Sequence, residues 1–184
     1  MPSETNLQRV FFALWPDDRL RSRLAAVARG MTANGRLVPA GHLHLTLAFP
    51  GTVSTEVVAT LISRAAAIAG PPIPLRLDRV GYFPRSRVAW VGPSEVPLEL
   101  EALAAWLQGI GRDCGLRMED RPFRPHVTLR RFVSHFEAVP IDPLDWFADR
   151  VVLIESGQGG HPGAYRLLRS WLLEGPPMTV PEAT

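Results

Sequence analysis

His44-Leu45-Thr46-Leu47 returns later in the chain, almost letter for letter, as His126-Val127-Thr128-Leu129. Successive side chains of a β-strand point to opposite faces, so the histidine and the threonine of each copy share one face. Each copy therefore places an imidazole and a hydroxyl about 6 to 7 Å apart on an otherwise apolar strand. Chance seldom repeats such a pair, and we interpret the two copies as parts of one active site.

The composition is that of a soluble globular protein. Its 184 residues, 46% of them hydrophobic, suffice for one core or for two small lobes that share a core. No apolar run reaches the length of a membrane span, about 18 residues. Residues 1–6 include an acid and lack the basic and apolar regions of a secretory signal, so we expect a cytoplasmic location and no membrane partner. The single Cys114 excludes an internal disulfide.

All 20 basic residues are arginines, although the net charge is only +2. Arginine binds phosphate through a planar fork of donors, and four arginines cluster around the second motif. They are Arg121, Arg124, Arg130 and Arg131. Taken without the histidines, this cluster fits a phosphate-bearing partner and a merely solvated basic face equally well.

Hydrophobic spacing predicts three helices that begin at Asp17 or Asp18, at Ser54 and at Pro97. Short apolar or alternating runs predict seven strands, at residues 9–14, 42–49, 73–80, 87–91, 126–132, 151–155 and 165–173. Pro50-Gly51 is expected to turn the chain out of the first motif strand. Residues between the second motif strand and residue 151 are expected to form a loop.

A helix precedes each motif strand, which predicts a duplicated α+β unit. Two such lobes facing each other would bring both His/Thr faces into a central cleft, where both motifs can act on one substrate. We expect residues 1–174 to form this single bilobal domain. Residues 175–184 begin with Gly175-Pro176-Pro177, have little to bury, and are expected to form a flexible tail.

Two histidines can divide acid and base work, because the imidazole pKa lies near neutrality. His44 and His126 are therefore the predicted catalytic residues. A reaction that needs an acid and a base on opposite sides of one centre, without a metal, is in-line displacement at phosphorus. The hydroxyls of Thr46 and Thr128 would then hold the non-bridging oxygens, and an arginine would offset their charge.

Two other interpretations compete for the histidines. One is that they are satisfied structural residues on half-buried strands, which a repeated pair makes improbable. The other is a zinc site formed by His42, His44 and His126. The motif strands carry no carboxylates and repeat a threonine instead, so we expect neither a metal nor a cofactor. His135 and His161 fall in predicted loops and are expected to be solvated.

The segments around both motifs resemble the two-histidine (2H) phosphoesterase superfamily, in its branch of RNA 2′,3′-cyclic phosphodiesterases, also called 2′-5′ RNA ligases. The resemblance covers residues 8–174 and is carried by residues 11–14, 42–49, 83–90, 123–129, 155–165 and 171–173. Pro50 and Arg130 depart from the family pattern. By position Arg131 is then the family's arginine, and Arg130 should point to the other face.

The resemblance implies two antiparallel sheets facing across a central cleft, with helices on the outer faces. It also implies hydrolysis of a 2′,3′-cyclic phosphate to a 2′-phosphate, with His44 as proton donor to the leaving 3′ oxygen and His126 as base. A terminal base is expected to stack on aromatic side chains, and arginines are expected to contact phosphates. The candidates for stacking are Phe12, Phe49, Phe83 and Tyr82, and packing in the core is the competing interpretation for each of these rings. The candidates for phosphate are Arg85, Arg87, Arg124 and Arg131.

We expect a monomeric enzyme whose partner is RNA that ends in a 2′,3′-cyclic phosphate. Within the same fold, the alternatives are action on a small cyclic nucleotide and action on 2′-5′ RNA linkages. From other classes, the alternatives are an RNA-end-binding protein without catalysis and a metal-dependent hydrolase. The repeated histidine and threonine pairs disfavour a role in binding alone.

Overall fold

Alternating strands and helices make up the protein, which we describe from a computed structural model for residues 6–157 and 163–175. The helices are α1 (Asp18–Gly30), α2 (Thr55–Ala65) and α3 (Leu98–Asp113), and a short 3₁₀ helix covers Ala40–His42. The strands are β1 (Leu7–Leu14), β2 (Arg36–Leu37), β3 (Leu45–Ser54), β4 (Ile73–Phe83), β5 (Val88–Pro93), β6 (Val127–Arg131), β7 (Leu144–Ala148), β8 (Arg150–Ser156) and β9 (Tyr165–Leu172).

Within the described residues, these strands form one antiparallel sheet in the order β7-β4-β5-β6-β3-β1-β8-β9, and β2 also pairs with β6. The predicted α+β class is confirmed, and in place of the two predicted sheets the described residues form one continuous sheet. The two halves of this sheet are continuous because the two motif strands lie side by side and pair at Leu45 and Val127. Each motif strand thus lies at the centre of the molecule.

The helices are exchanged between the halves. Helix α1 precedes β3 but packs against β6 and β7, whereas α3 precedes β6 and packs against β3. Helix α2 packs against β1, β3 and α3. Leu24, Leu61 and Leu107, one from each helix, are wholly buried in a core that both halves share. One core therefore joins the two halves, and the single domain over residues 1–174 stays a prediction.

The starts of the helices follow their predicted caps. The Asp17 carboxylate accepts a hydrogen bond from the Leu20 N–H at 2.7 Å, and the Ser54 hydroxyl accepts one from the Val57 N–H at 3.4 Å. Both bonds satisfy N–H groups that have no partner within the first helical turn. Pro97 is the N-cap residue of α3. Short polar side chains thus fix where α1 and α2 begin.

Two predictions about strands are wrong. Pro50-Gly51 does not end the first motif strand, because β1 follows β3 to its end at Ser54 through a register shift. Gly51 has a φ of 85°, which a glycine adopts without strain, and so the strand bends without ending. The predicted loop before residue 151 contains a strand, β7, which pairs with β4.

None of the helices in the part of the chain that the structure describes is long and apolar enough to cross a membrane. The predicted flexible tail falls, apart from Gly175, on residues outside the described part. His161, expected to be solvated, also lies outside it.

Candidate active site

Each motif histidine lies immediately before its strand and is held by a carbonyl group two residues earlier. The Nδ1 atom of His44 lies 2.7 Å from the carbonyl oxygen of His42, and that of His126 lies 2.7 Å from the carbonyl oxygen of Arg124. A carbonyl oxygen only accepts, so Nδ1 carries the hydrogen in both rings. Nε2 is then left to accept a proton or, once protonated, to donate one.

The two motifs line two adjoining cavities of about 600 and 620 Å³. His44 lines the first cavity and His126 lines the second, while Thr46, Phe49 and Arg131 line both. The cavities are therefore two parts of one cleft, with the shared residues at its centre. Both motifs therefore face one cleft, and their joint action on one substrate stays a prediction.

The threonines follow their histidines into the cleft. Thr46 and Thr128 are half-buried, and each lines a cavity together with the histidine of its own motif. Leu45, Leu47, Val127 and Leu129 are buried on the opposite face of the sheet. The alternation of side chains in the two motifs thus holds in both strands.

Aromatic rings surround His44. Phe11 stacks on it with ring centroids 4.7 Å apart, and Tyr165 meets it edge-on at 5.6 Å. The ring of His42 stacks on Tyr165 at 4.1 Å and lines the same cavity. Burial disfavours the charged imidazolium and lowers the pKa of His44 to about 4, even though the bond to the His42 carbonyl acts in the opposite direction.

Fewer rings contact His126. Phe83 meets it edge-on with ring centroids 5.0 Å apart, and Trp90 is tilted against it at 6.2 Å. Burial lowers the pKa of His126 as well, and the positive charge of Arg131 adds to this effect. In the free protein both histidines are therefore predominantly neutral at pH 7.

Arg131 is the charged residue that both motifs share. It lies at the end of β6, is exposed, and lowers the pKa of His44 as well as that of His126 through its charge. Its neighbour Arg130 turns to the other face, where its Nε donates a hydrogen bond to the carbonyl oxygen of Ala28 at 2.9 Å. This confirms the predicted orientation of Arg130, which supports the last turn of α1.

A sequence model of the 2′-5′ RNA ligase superfamily matches residues 16–160. The chain belongs to this superfamily. The RNA 2′,3′-cyclic phosphodiesterase of Escherichia coli (strain K12) is 37% identical over 141 residues, which are 76% of this chain and 80% of that protein. The protein of the same name from Thermus thermophilus is 28% identical over 180 residues, 91% of either chain.

Solved structures agree with this membership of the 2′-5′ RNA ligase superfamily. The crystal structure of E. coli LigT complexed with 3′-AMP superposes with a TM-score of 0.80 at 34% identity. The match covers 92% of this chain and 99% of that one. The apo form of E. coli LigT gives a TM-score of 0.79 at 36% identity with the same coverage. The family resemblance noted in the sequence is thereby confirmed.

For this superfamily member, the prediction that Phe12 contacts substrate is wrong. Phe12 is wholly buried and packs in the core against Trp171, with ring centroids 6.0 Å apart. Its neighbour Phe11 lies on the other face of β1 and lines the cleft. Alternation places the two adjacent rings on opposite faces but does not say which ring faces the cleft.

The remaining aromatic and basic candidates divide between the cleft and the surrounding scaffold. Phe49, 39% exposed, lies in the cleft, and Phe83 and the exposed Arg124 line its second cavity. Tyr82 and Arg87 instead bind a backbone carbonyl, that of Val133, at 2.9 and 3.3 Å. These two side chains support a turn and are not free for substrate.

Besides Phe11 and Phe132, sequence reasoning missed Arg9, Arg36 and Tyr165, which also line the first cavity. Tyr165 reaches the cleft because β9 pairs with β8, which itself pairs with β1. Arg36 reaches it through the pairing of β2 with β6. Only these long-range pairings place the three side chains, and no local sequence signal could have done so.

Among residues 6–157 and 163–175, no group of three or more histidine, cysteine or acidic side chains is placed to hold a metal ion. His42 and His44 line the first cavity, whereas His126 lines the second. His135, predicted to be solvated, is exposed, and its Nε2 lies 4.0 Å from Glu137 Oε1.

Proposed function

We propose that this chain is an RNA 2′,3′-cyclic phosphodiesterase that leaves a 2′-phosphate and uses two histidines without a metal. The observation that carries the proposal is the matched pair of imidazoles, each held at Nδ1 by a carbonyl oxygen and each lining one cleft. The names of the relatives from E. coli and T. thermophilus support the same reaction. A monomeric state and a cytoplasmic location belong to the same proposal.

In the proposed reaction, Nε2 of one neutral histidine takes a proton from water as the water oxygen attacks phosphorus. The bond from phosphorus to the 3′ oxygen breaks, and Nε2 of the other, protonated histidine gives its proton to that oxygen. The products are a 2′-phosphate and a free 3′-hydroxyl. The family resemblance assigns the base to His126 and the acid to His44, whereas the similar anchors of the two rings fit either order.

Substrate binding favours the uptake of a proton from solvent by the histidine that acts as the acid. Both histidines have lowered pKa values in the free protein, so both are predominantly neutral at pH 7. A bound phosphate brings a negative charge next to both rings, which favours the imidazolium and raises its pKa. The anionic substrate thus stabilises the protonated form of the histidine that later protonates the leaving oxygen.

The residues between the histidines are suited to the charge that develops on phosphorus. The hydroxyls of Thr46 and Thr128 can donate to the non-bridging oxygens, and the guanidinium of Arg131 offsets their negative charge. Phe49 presents a partly exposed ring for the terminal base, with the guanidinium of Arg9 4.9 Å from its centre. Arg124, in the second cavity, is suited to a backbone phosphate.

The experiment that tests the proposal uses the purified protein in EDTA, with a short RNA and a mononucleotide that both end in a 2′,3′-cyclic phosphate. We expect the 2′-phosphate as the only product isomer. His44→Ala and His126→Ala are expected to form it about 10²- to 10⁴-fold more slowly or not at all. His135→Ala, which changes an exposed histidine outside the cleft, should match the wild type. A 3′-phosphate product, or turnover that EDTA abolishes, would contradict the proposed reaction.

A further inference from the structure

Phe132 is an exposed aromatic residue in an unfavourable backbone conformation at the edge of the first cavity. Its side chain is 61% exposed, and its φ of 59° lies in the left-handed region. An exposed phenylalanine gains little from burial, and a residue with a Cβ adopts this φ at an energetic cost. Such a conformation persists where neighbouring groups impose it, often at ligand sites.

Neighbouring groups hold the turn that presents Phe132. The Tyr82 hydroxyl and the Arg87 Nε both donate to the carbonyl oxygen of Val133, at 2.9 and 3.3 Å. The Val133 N–H donates in return to the carbonyl oxygen of Arg87 at 2.9 Å. The residue after Phe132 is therefore fixed through both of its backbone polar groups.

A second segment holds Phe132 from the other side. The Asn34 side chain accepts hydrogen bonds from the N–H groups of Ser134 and His135, at 2.8 and 3.0 Å. At Gly35 an added Cβ would lie 2.5 Å from the carbonyl oxygen of Arg131, so only glycine permits this approach. The next residue, Arg36, then places its guanidinium 5.7 Å from the centre of the Phe132 ring.

We propose that Phe132 and Arg36 bind the nucleotide that precedes the cyclic end of an RNA substrate. The base of that nucleotide stacks on the Phe132 ring, and Arg36 contacts the phosphate that joins it to the terminal nucleotide. This inference rests on the proposed function and narrows its substrate class to RNA ends of two or more nucleotides.

The charges of the first cavity are suited to binding a second phosphate group of the substrate. Three arginines line it, Arg9, Arg36 and Arg131, and none of its described lining residues is acidic. A nucleoside cyclic phosphate carries a single negative charge, which Arg131 beside the two histidines can offset. The second cavity is also basic, with Arg85 and Arg124, but it contains an acidic residue, Glu119, whose Oε1 lies 2.8 Å from Nε of Arg121.

The aromatic rings of the first cavity are likewise suited to stacking on a second nucleotide base. Phe49 has Arg9 over its ring, and Phe132 has Arg36 over its ring. Proteins that bind single-stranded nucleic acid combine such stacking rings with a positively charged groove. Two aromatic rings, each paired with an arginine, therefore match two successive nucleotides of one strand.

The test compares kcat/KM for a nucleoside 2′,3′-cyclic phosphate with that for a dinucleotide ending in the same cyclic nucleoside. The wild type is expected to prefer the dinucleotide, and Phe132→Ala to reduce that preference by about 5- to 100-fold. Phe132→Trp keeps a stacking surface and should retain the preference. Phe147→Ala is the control, since Phe147 is 73% exposed and lines neither cavity.

Arg36→Gln tests the phosphate contact separately. It should also reduce the preference for the dinucleotide and weaken the dependence of that preference on salt, since one fewer phosphate is neutralised by the protein. The inference would be overturned if the wild type, Phe132→Ala and Arg36→Gln all preferred the dinucleotide to the same degree.

A binding measurement distinguishes failure of the inference from failure of the proposed function. Hydrolysis of neither substrate by the wild type would overturn the proposed function. The dissociation constant for a dinucleotide with a 3′-phosphate end then tests the subsite by itself. Binding weakened about 5- to 100-fold in Phe132→Ala, with Phe147→Ala unchanged, would support the subsite, and equal binding in all three proteins would overturn it.

Discussion

The two motif histidines have the same backbone anchor and different neighbours. In both, Nδ1 lies 2.7 Å from a carbonyl oxygen two residues earlier. The rings of Phe11, Trp15 and Tyr165 lie around His44, whereas Phe83 and Trp90 lie beside His126. The shared anchor thus leaves Nε2 of both rings free to transfer protons. The neighbouring aromatic rings differ, and with them the pKa of each histidine. Unequal environments of this kind give paired groups separate acid and base roles.

Removal of either imidazole should have the largest effect on the reaction rate. His44→Ala and His126→Ala should each reduce kcat by about 10²- to 10⁴-fold or more. Both rings line a cleft and not the core, so the fold should persist, as judged by circular dichroism and thermal unfolding. The double variant should be about as inactive as either single one, because the two residues act in one step. Multiplicative losses would indicate that the two histidines do not act in the same step.

Loss of the hydroxyls should have a smaller effect. Thr46→Val and Thr128→Val keep the shape of the side chain and each remove one donor to the phosphate oxygens. We expect kcat to fall about 10- to 1000-fold in each case. Thr46 lines both cavities and Thr128 only the second, so Thr46→Val should show the larger loss. Unchanged kcat in both variants would mean that neither hydroxyl contacts the transition state.

The pH dependence of the rate should be bell-shaped, because one histidine must be neutral and the other charged. The profile of kcat/KM reports the free protein, in which the pKa of His44 is about 4 and that of His126 is also lowered. Its optimum should therefore lie below pH 6.5. The optimum of kcat should lie about one pH unit or more higher, since bound phosphate raises the pKa of the acid. Coincident optima would contradict this coupling.

The smallest predicted effect concerns stability. The unfolded chain binds a proton at His44 below pH 6.5, whereas the folded protein binds it only near pH 4. The free energy of unfolding should therefore fall as the pH is lowered from 7 towards 4. His44→Ala should lose part of this dependence, as measured by urea unfolding at pH 7 and pH 5. His135→Ala provides the control, and an unchanged slope in His44→Ala would count against a buried neutral imidazole.

Local pattern predicted the motif faces, the helix starts and the α+β class, because each depends on neighbours in sequence. Phe12 was assigned to the wrong face, since the neighbouring phenylalanines are chemically identical and only the packing around β1 distinguishes them. Strand β7 was missed because its five residues include a charged Asp145 and an exposed Phe147. Its pairing with β4, far away in sequence, is what makes it a strand.

The strand order also determines how much of the chain must be synthesised before the active site can form. Strand β1 lies between β3 and β8, and β9 lies next to β8, so the surroundings of His44 combine the earliest and latest strands of the chain. A nascent chain that has emerged as far as Leu129 contains both motifs but lacks Tyr165. The two motifs alone therefore do not make the complete site, because a product that ends at Leu129 would lack the Tyr165 ring beside His42 and His44.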